Sequence, residues 1–442
     1  MFRSITERLT LWKDRPDRKP LLLTGIRQCG KTYILKEFGR EAFGDCAYFN
    51  FEENGALSAV FEHDLDVRRI VDDLSNVILG RRIEAGKTLV IFDEVQACPR
   101  AVTSLKYFCE NMRELHVICA GSLLGVAIKR GGTSFPVGKI DRMRMYPMSF
   151  SEFLIADGFE TLYRAAGRLP LDAPLSEAYT AVLEREYKYY LAVGGMPEAV
   201  LKWTETHDIT QVEEIQDNIL ADYAGDFAKH APKTDVPKLG WIWDSIPVQL
   251  AKENNKFVFS HVKQGKRAAD LEDALQWLVD AGLIYKLLLA NDPQLPLSAF
   301  SDAAYFKVYL ADVGLLRRKS EVPARVVLGE NDLYQNYKGA LAENFVLTEL
   351  LALGIAPYFW RSGNQAELDF LFDHEGEIIP VEAKAAVNTK AKSYQQFCKK
   401  YTPKRGFKFS LKNVGSHDVE GTDTVSLPLY MIWKLKQYLR GE

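Results

Sequence analysis

The sequence predicts an α/β protein that opens with a doubly wound parallel sheet, continues through a helical segment and a small mixed domain, and closes with a second α/β domain. Three observations predict the sheet. Leu21-Leu22-Leu23 leads through Gly25-Ile26-Arg27-Gln28-Cys29-Gly30-Lys31-Thr32 into the helix-like stretch Tyr33 to Phe38. Leu89 to Phe92 is a continuous apolar run that ends in Asp93-Glu94. His116-Val117-Ile118-Cys119-Ala120 is a third such run and passes into Gly121-Ser122. Apolar runs separated by helical stretches are the mark of parallel strands buried on both faces, joined by right-handed crossovers.

The glycine loop has the G-x-x-x-x-G-K-T pattern between a strand and a helix, the context of a phosphate-binding loop. Its glycines let backbone N–H groups turn inward around phosphates, and the following helix N-terminus adds a favourable dipole. Gly25, Arg27, Gln28, Cys29, Gly30, Lys31 and Thr32 are therefore the expected nucleotide cradle. Lys31 would reach the β- and γ-phosphates, and the Thr32 hydroxyl would bind Mg²⁺. Asp93 would complete the Mg²⁺ shell, and Glu94 would orient and deprotonate the attacking water. ATP and Mg²⁺ are the cofactors these residues call for.

Length and composition set limits on the rest. At 442 residues the chain is too long for one core, so two to four domains are expected. A net charge of −3 gives no global pull toward nucleic acid, so any such contact must come from local basic patches. No uninterrupted apolar run is long enough to cross a bilayer, and the first residues carry no charged-then-apolar leader. The six cysteines are scattered, without a C-x-x-C, which suits reduced thiols and a cytoplasmic protein with no membrane partner.

The glycine loop, Asp93-Glu94, Gly121-Ser122-Leu123-Leu124 and Tyr146-Pro147-Met148-Ser149-Phe150-Ser151-Glu152-Phe153 together resemble a prokaryotic AAA-family group of ATPases. Members of that group carry a C-terminal domain long labelled as of unknown function. Gly194-Gly195-Met196-Pro197-Glu198, Asp226-Phe227-Ala228-Lys229-His230 and Asp312-Val313-Gly314-Leu315-Leu316 extend the resemblance over most of the chain. It implies that Ser122 contacts the γ-phosphate or the attacking water, the alternative being a helix N-cap for Leu123 onward. Many relatives place Gly-Arg before the Tyr-Pro segment; here Gly138-Lys139 stands there, with Arg142 and Arg144 just beyond. An arginine finger, and with it a homo-oligomer, is left open by that departure.

Residues 1–160 are thus expected to form an AAA-type ATPase core and 161–235 a helical lid or connector. In 236–325, a short helix starting at Ile246, a strand at Lys256-Phe257-Val258-Phe259, a helix over Asp270 to Ala281 and a strand from Leu283 fit a winged helix. Lys252, Lys256, Lys263, Lys266 and Arg267 would contact DNA phosphates, although Glu253, Asp270, Glu272 and Asp273 dilute the charge and protein contacts alone would suit the same elements.

Residues 326–442 hold a second constellation. A helix from Ala340 ends at Gly354, and the strands Glu367 to Phe372 and Ile378 to Lys384 flank the turn Asp373-His374-Glu375-Gly376-Glu377. A hairpin centred on Glu375-Gly376 opposes Asp369 with Glu382 and Glu367 with Lys384, bringing three acids and a lysine to one face. Such a set suits a divalent cation held by oxygen ligands, with the lysine orienting water or stabilising a pentacovalent phosphate. The order resembles the PD-(D/E)xK nuclease superfamily. That resemblance implies Asp369, Glu382 and Glu343 as metal acids and Lys384 as the catalytic lysine of a restriction-endonuclease-like domain, with inactive descendants an alternative.

Overall fold

The computed structural model describes residues 1–126, 135–252, 256–329, 335–363, 366–386 and 391–441; Glu253 lies outside them. The chain divides into two compact units, residues 1–146 with 280–283, and residues 147–279 with 284–442.

The first unit is built on five strands: β1 (Leu21–Gly25), β2 (Asp45–Asn50), β3 (Thr88–Asp93), β4 (His116–Gly121) and β5 (Asp141–Met145). They lie in the order β2-β3-β4-β1-β5, and every pairing is parallel. All residues of β3 and β4 are buried, as their continuous apolar runs require. The helices Ile5–Asp14, Lys31–Phe43 and Pro99–Asn111 belong to the same unit. Beside β3 the rings of Phe49, Phe51, Phe61, Phe92 and Phe108 pack edge-on or tilted, with centroids 5.6 to 6.1 Å apart. That packing fixes the strand whose end carries Asp93. Because β4 lies between β1 and β3, Ser122 leaves the sheet between the glycine loop and Glu94.

The second unit begins with helices Phe150–Ala156, Glu160–Arg168, Glu177–Val193, Pro197–Thr206 and Ile209–His230. Three of the unexplained motifs meet here. Gly195 N–H donates to Asp312 Oδ2 at 2.6 Å, Leu315 N–H donates to Asp312 Oδ1 at 2.9 Å, and Met148 N–H donates to the Gly195 carbonyl at 2.6 Å. A Cβ on Gly195 would lie 2.0 Å from the Met148 carbonyl oxygen, so only glycine fits. These motifs are a packing joint, which accounts for their residue types without chemistry.

In the following stretch the structure corrects two expectations. No short helix starts at Ile246; one helix spans Val236–Leu250 with Pro247 inside it. The strand expected at 256–259 shrinks to an isolated bridge between Lys256 and Lys307, and Phe259–Val262 is a helical turn. The helix expected over Asp270 to Ala281 is present as Ala268–Asp280 and buries Leu271, Ala274, Leu275 and Leu278. Strands β6 (Ile284–Ala290) and β7 (Ser301–Leu310) follow as an antiparallel pair.

That pair is the edge of a larger sheet. Helix Gln335–Ala352 precedes β8 (Tyr358–Ser362), β9 (Ala366–His374) and β10 (Glu377–Ala383), then come helix Lys392–Tyr401 and strands β11 (Arg405–Ser410), β12 (Gly415–Val419) and β13 (Thr422–Pro428). The eight strands run in the order β12-β13-β11-β10-β9-β8-β6-β7. The β9–β10 register pairs Glu377 with His374 and Val381 with Phe370, which is the hairpin centred on Glu375-Gly376. No helix among the described residues is long and apolar enough to cross a membrane.

Candidate functional sites

β1 delivers the chain to Gly25, where a Cβ would sit 2.5 Å from the Met145 carbonyl oxygen on β5. The loop then turns through Arg27, Gln28 (φ 63°), Cys29 and Gly30 (φ 90°) into the helix that starts at Lys31. Glycine enters the left-handed region at no steric cost, whereas Gln28 does so only under local constraint. Cys29 is buried, and its carbonyl accepts a 3.0 Å hydrogen bond from Arg3, which also donates to the Tyr146 carbonyl at 2.6 Å. Arg3 was not read from the sequence as part of this site; it ties the glycine loop to the end of β5.

Lys31 is buried at 6% exposure, and its Nζ donates to the carbonyls of Gly25 and Ile26, each at 2.9 Å. The ammonium is thus held by its own loop, in the hollow that the glycines open. Thr32 Oγ1 donates to Asp93 Oδ2 at 2.6 Å, and the Tyr48 hydroxyl, from the neighbouring strand β2, donates to the same oxygen at 3.0 Å. Burial and the Asp93 charge raise the Tyr48 phenol well above its ordinary range, so it stays a donor.

Glu94 leaves β3 with φ 48° and donates its amide to Asp93 Oδ1 at 3.0 Å. Its Oε2 accepts from Gln96 Nε2 at 2.6 Å, and the Ser122 amide and hydroxyl stand 3.5 Å away. The structure brings Thr32 to Asp93 and Ser122 to Glu94, and adds Tyr48 and Gln96 to the group. Among the basic residues before the Tyr-Pro segment, Lys139 pairs with Glu110 at 2.9 Å, Arg142 lies over the Phe135 ring and Arg144 over the Tyr146 ring.

Residues 17–154 match the family described as "AAA domain". The N-terminal domain is an AAA-type ATPase. Residues 184–325 and 338–430 match two families described as domains of unknown function, DUF8612 and DUF4143. No curated relative matches the chain. Solved structures similar to it include the Walker-type ATPase PABY2304 of Pyrococcus abyssi, at 15% identity over 71% of this chain and 94% of that one, with a TM-score of 0.44. The Aeropyrum pernix ORC2 protein is 14% identical over 74% of this chain and 92% of its own, with a TM-score of 0.37. The RuvB Holliday junction branch migration motor of Thermotoga maritima is 14% identical over 66% and 89%, with a TM-score of 0.30. The AAA match and the loop geometry make this ATPase a nucleotide-binding enzyme.

The second constellation lies in the eight-stranded sheet. Lys384 Nζ stands 2.7 Å from Glu382 Oε1 and 3.5 Å from Asp369 Oδ2, and Asp369 Oδ2 accepts the Ala383 amide at 2.9 Å. Asp369 and Glu382 are buried, while the Lys384 side chain is 39% exposed and opens the cluster to solvent. Burial pushes the Asp369 carboxyl above its ordinary range, Lys384 opposing and Glu343 adding to it; burial with Asp369 alongside raises the Glu382 carboxyl as well. Glu382 Oε2 is buried without a hydrogen-bond partner among the described residues.

Glu367 and Glu343 pair with other side chains. The hairpin argument put Glu367 opposite Lys384, yet Glu367 pairs with Lys307 Nζ at 2.6 Å and with Arg361 at 3.7 Å, while the Lys384 amide donates to Phe409 on β11. Glu343 accepts from the Tyr309 hydroxyl at 2.7 Å and lies 3.6 Å from Lys307. Lys307 is 1% exposed; burial opposes its charge, but Glu343, Glu367 and Asp369 hold the ammonium above the ordinary lysine range. No three His, Cys, Asp or Glu side chains among the described residues are grouped closely enough to share a metal ion. The expected triad of Asp369, Glu382 and Glu343 is therefore not assembled as one ligand set. Lys307 and Tyr309 come from β7, outside the motif, and nothing in their local sequence marked them.

Proposed function

We propose that this ATPase couples Mg²⁺-dependent ATP hydrolysis to DNA binding, and that Asp369, Glu382 and Lys384 cut a phosphodiester with a divalent cation. At the nucleotide, Thr32 and Asp93 fit Mg²⁺, since the 2.6 Å bond between them brings two oxygen ligands together. Lys31 neutralises charge on the β- and γ-phosphates, and Glu94 takes the proton of the attacking water.

The observation that carries the cleavage reading is the orphaned, buried Glu382 Oε2 beside Asp369, with Lys384 on the pair. These two carboxylates fit one cation, which would polarise the scissile phosphate. Lys384 would donate to the charge developing on phosphorus-bound oxygen. Support comes also from the element order, a helix, the antiparallel meander β8-β9-β10, a second helix and the parallel strand β11, which would suit a restriction-endonuclease-like core. The helices Val236–Leu250 and Ala268–Asp280 with the β6–β7 pair would act as a winged helix, holding DNA phosphates through Lys252, Lys256, Lys263, Lys266 and Arg267. Six free cysteines support a cytoplasmic setting. An arginine finger supplied in trans by Arg142 or Arg144 would require a homo-oligomer.

A second reading is favoured by Lys307. With Glu343 held by Lys307 and Tyr309, the domain would be an inactive nuclease relative, and ATP binding would switch a DNA- or protein-binding module. Nicking of plasmid and single-stranded DNA with Mg²⁺ or Mn²⁺, with ATP present, separates the two. Cleavage lost in Lys384→Ala supports the first; no cleavage by wild type under any of these conditions, with salt-dependent DNA binding retained, supports the second.

A further inference from the structure

β3 ends at Asp93, and the left-handed backbone of Glu94 (φ 48°, ψ 43°) folds the chain into a short 3-10 turn, Val95–Ala97. A non-glycine residue in this region stores strain, which surrounding contacts must hold in place. The turn returns the Gln96 side chain to Glu94, and the Gln96 Nε2 donates to Glu94 Oε2 at 2.6 Å. The carboxylate only accepts, so the amide nitrogen must face it and the amide oxygen must face away.

That oxygen points at Gly121, at the end of β4. A Cβ on Gly121 would lie 2.3 Å from Gln96 Oε1, so the glycine creates the slot that the Gln96 side chain fills. Gln96 Oε1 is buried there with no hydrogen-bond partner among the described residues. A buried amide oxygen without a partner is costly, and the bond from Nε2 to a carboxylate is the compensating contact. The Ser122 amide and hydroxyl reach the same Glu94 oxygen at 3.5 Å. One oxygen of the carboxylate is thereby fixed, and the other is left to meet a water.

We propose that Gln96 is a positioning residue for ATP hydrolysis, its amide clamping one oxygen of Glu94 so that the other is aimed at the attacking water. The proposal rests on Glu94 being the base. Gln96 acts through Glu94, as residues behind a reacting group do when they fix its orientation.

A double-mutant cycle with ATP turnover and fluorescent-nucleotide binding tests it. Gln96→Ala should lower kcat by about 10- to 100-fold, the usual cost of removing such a supporting contact, with nucleotide affinity within about 2-fold of wild type. In a Glu94→Gln background the same change should have no further effect, because its route is gone. Gln96→Glu keeps the shape, so it carries the test if the alanine variant fails to fold. Its carboxylate cannot donate to Glu94, so kcat should fall as it does in Gln96→Ala. Wild-type kcat in Gln96→Ala or in Gln96→Glu, or an equal loss in both backgrounds, would each overturn the proposal. Wild-type kcat in Glu94→Gln alone would instead remove the base, and the clamp with it.

Discussion

The Thr32 hydroxyl donates a 2.6 Å hydrogen bond to Asp93, 61 residues further along the chain. One residue opens the helix after β1 and the other closes β3, so the bond exists only because β4 holds these strands a fixed distance apart. It joins the two side chains that a magnesium ion would share.

Lys31 is the first residue to test at this site. Its ammonium rests on the Gly25 and Ile26 carbonyls, and phosphate oxygens would replace those acceptors. Lys31→Ala should weaken ATP binding by roughly 10- to 100-fold, the worth of one or two charge-assisted hydrogen bonds. Titration with a fluorescent ATP analogue reads the loss directly.

Glu349 gives a pH test of the second unit. It accepts the Phe150 amide at 2.8 Å, and burial, with Glu152 adding charge, raises its carboxyl to about 8 from 4.5. A carboxyl raised on folding contributes stability that is complete below about pH 4.5 and is lost as pH rises through about 8. Gln keeps the acceptor and removes the ionisation. Glu349→Gln should therefore melt higher than wild type at pH 9, by roughly 1–3 kcal/mol of stability, with the gain shrinking toward pH 6. Equal melting temperatures at pH 9 would count against a buried, ionising Glu349.

Gly195 tests the joint. Alanine there places a methyl group 2.0 Å from the Met148 carbonyl oxygen, against backbone that has little room to move. Gly195→Ala should destabilise the protein by about 1–3 kcal/mol or more, as overpacking does. Urea unfolding followed by fluorescence would show it as a lower midpoint.

Much of this was legible in the sequence for local reasons. The glycine loop, Asp93-Glu94 and the Glu375-Gly376 turn each declare themselves within about ten residues, by turn chemistry and strand period. What escaped was long-range or irregular. Tyr48 joins Asp93 only through the neighbouring strand, and Lys307 reaches Glu367 only because β6 and β7 share a sheet with β8. The helix expected to start at Ile246 misled in another way: Ile246 and Pro247 lie inside a longer one. Gln96 depends on a left-handed Glu94, which periodicity does not reveal.

Lys384 bears on the C-terminal domain. Under the cleavage reading, Lys384→Ala should reduce nicking by about 100-fold or more while DNA affinity changes little, since the ammonium acts on charge that develops only during reaction. Supercoiled-plasmid nicking with Mn²⁺, alongside DNA binding at two salt concentrations, separates catalysis from affinity. A Lys384→Ala protein as active as wild type would remove Lys384 from the site.

The ATPase centre itself is tested most directly by ATP binding and turnover in Glu94→Gln beside wild type. The account predicts wild-type nucleotide affinity with kcat lowered by roughly 10²- to 10⁴-fold, the share of a general base. Hydrolysis at the wild-type rate by Glu94→Gln would contradict it.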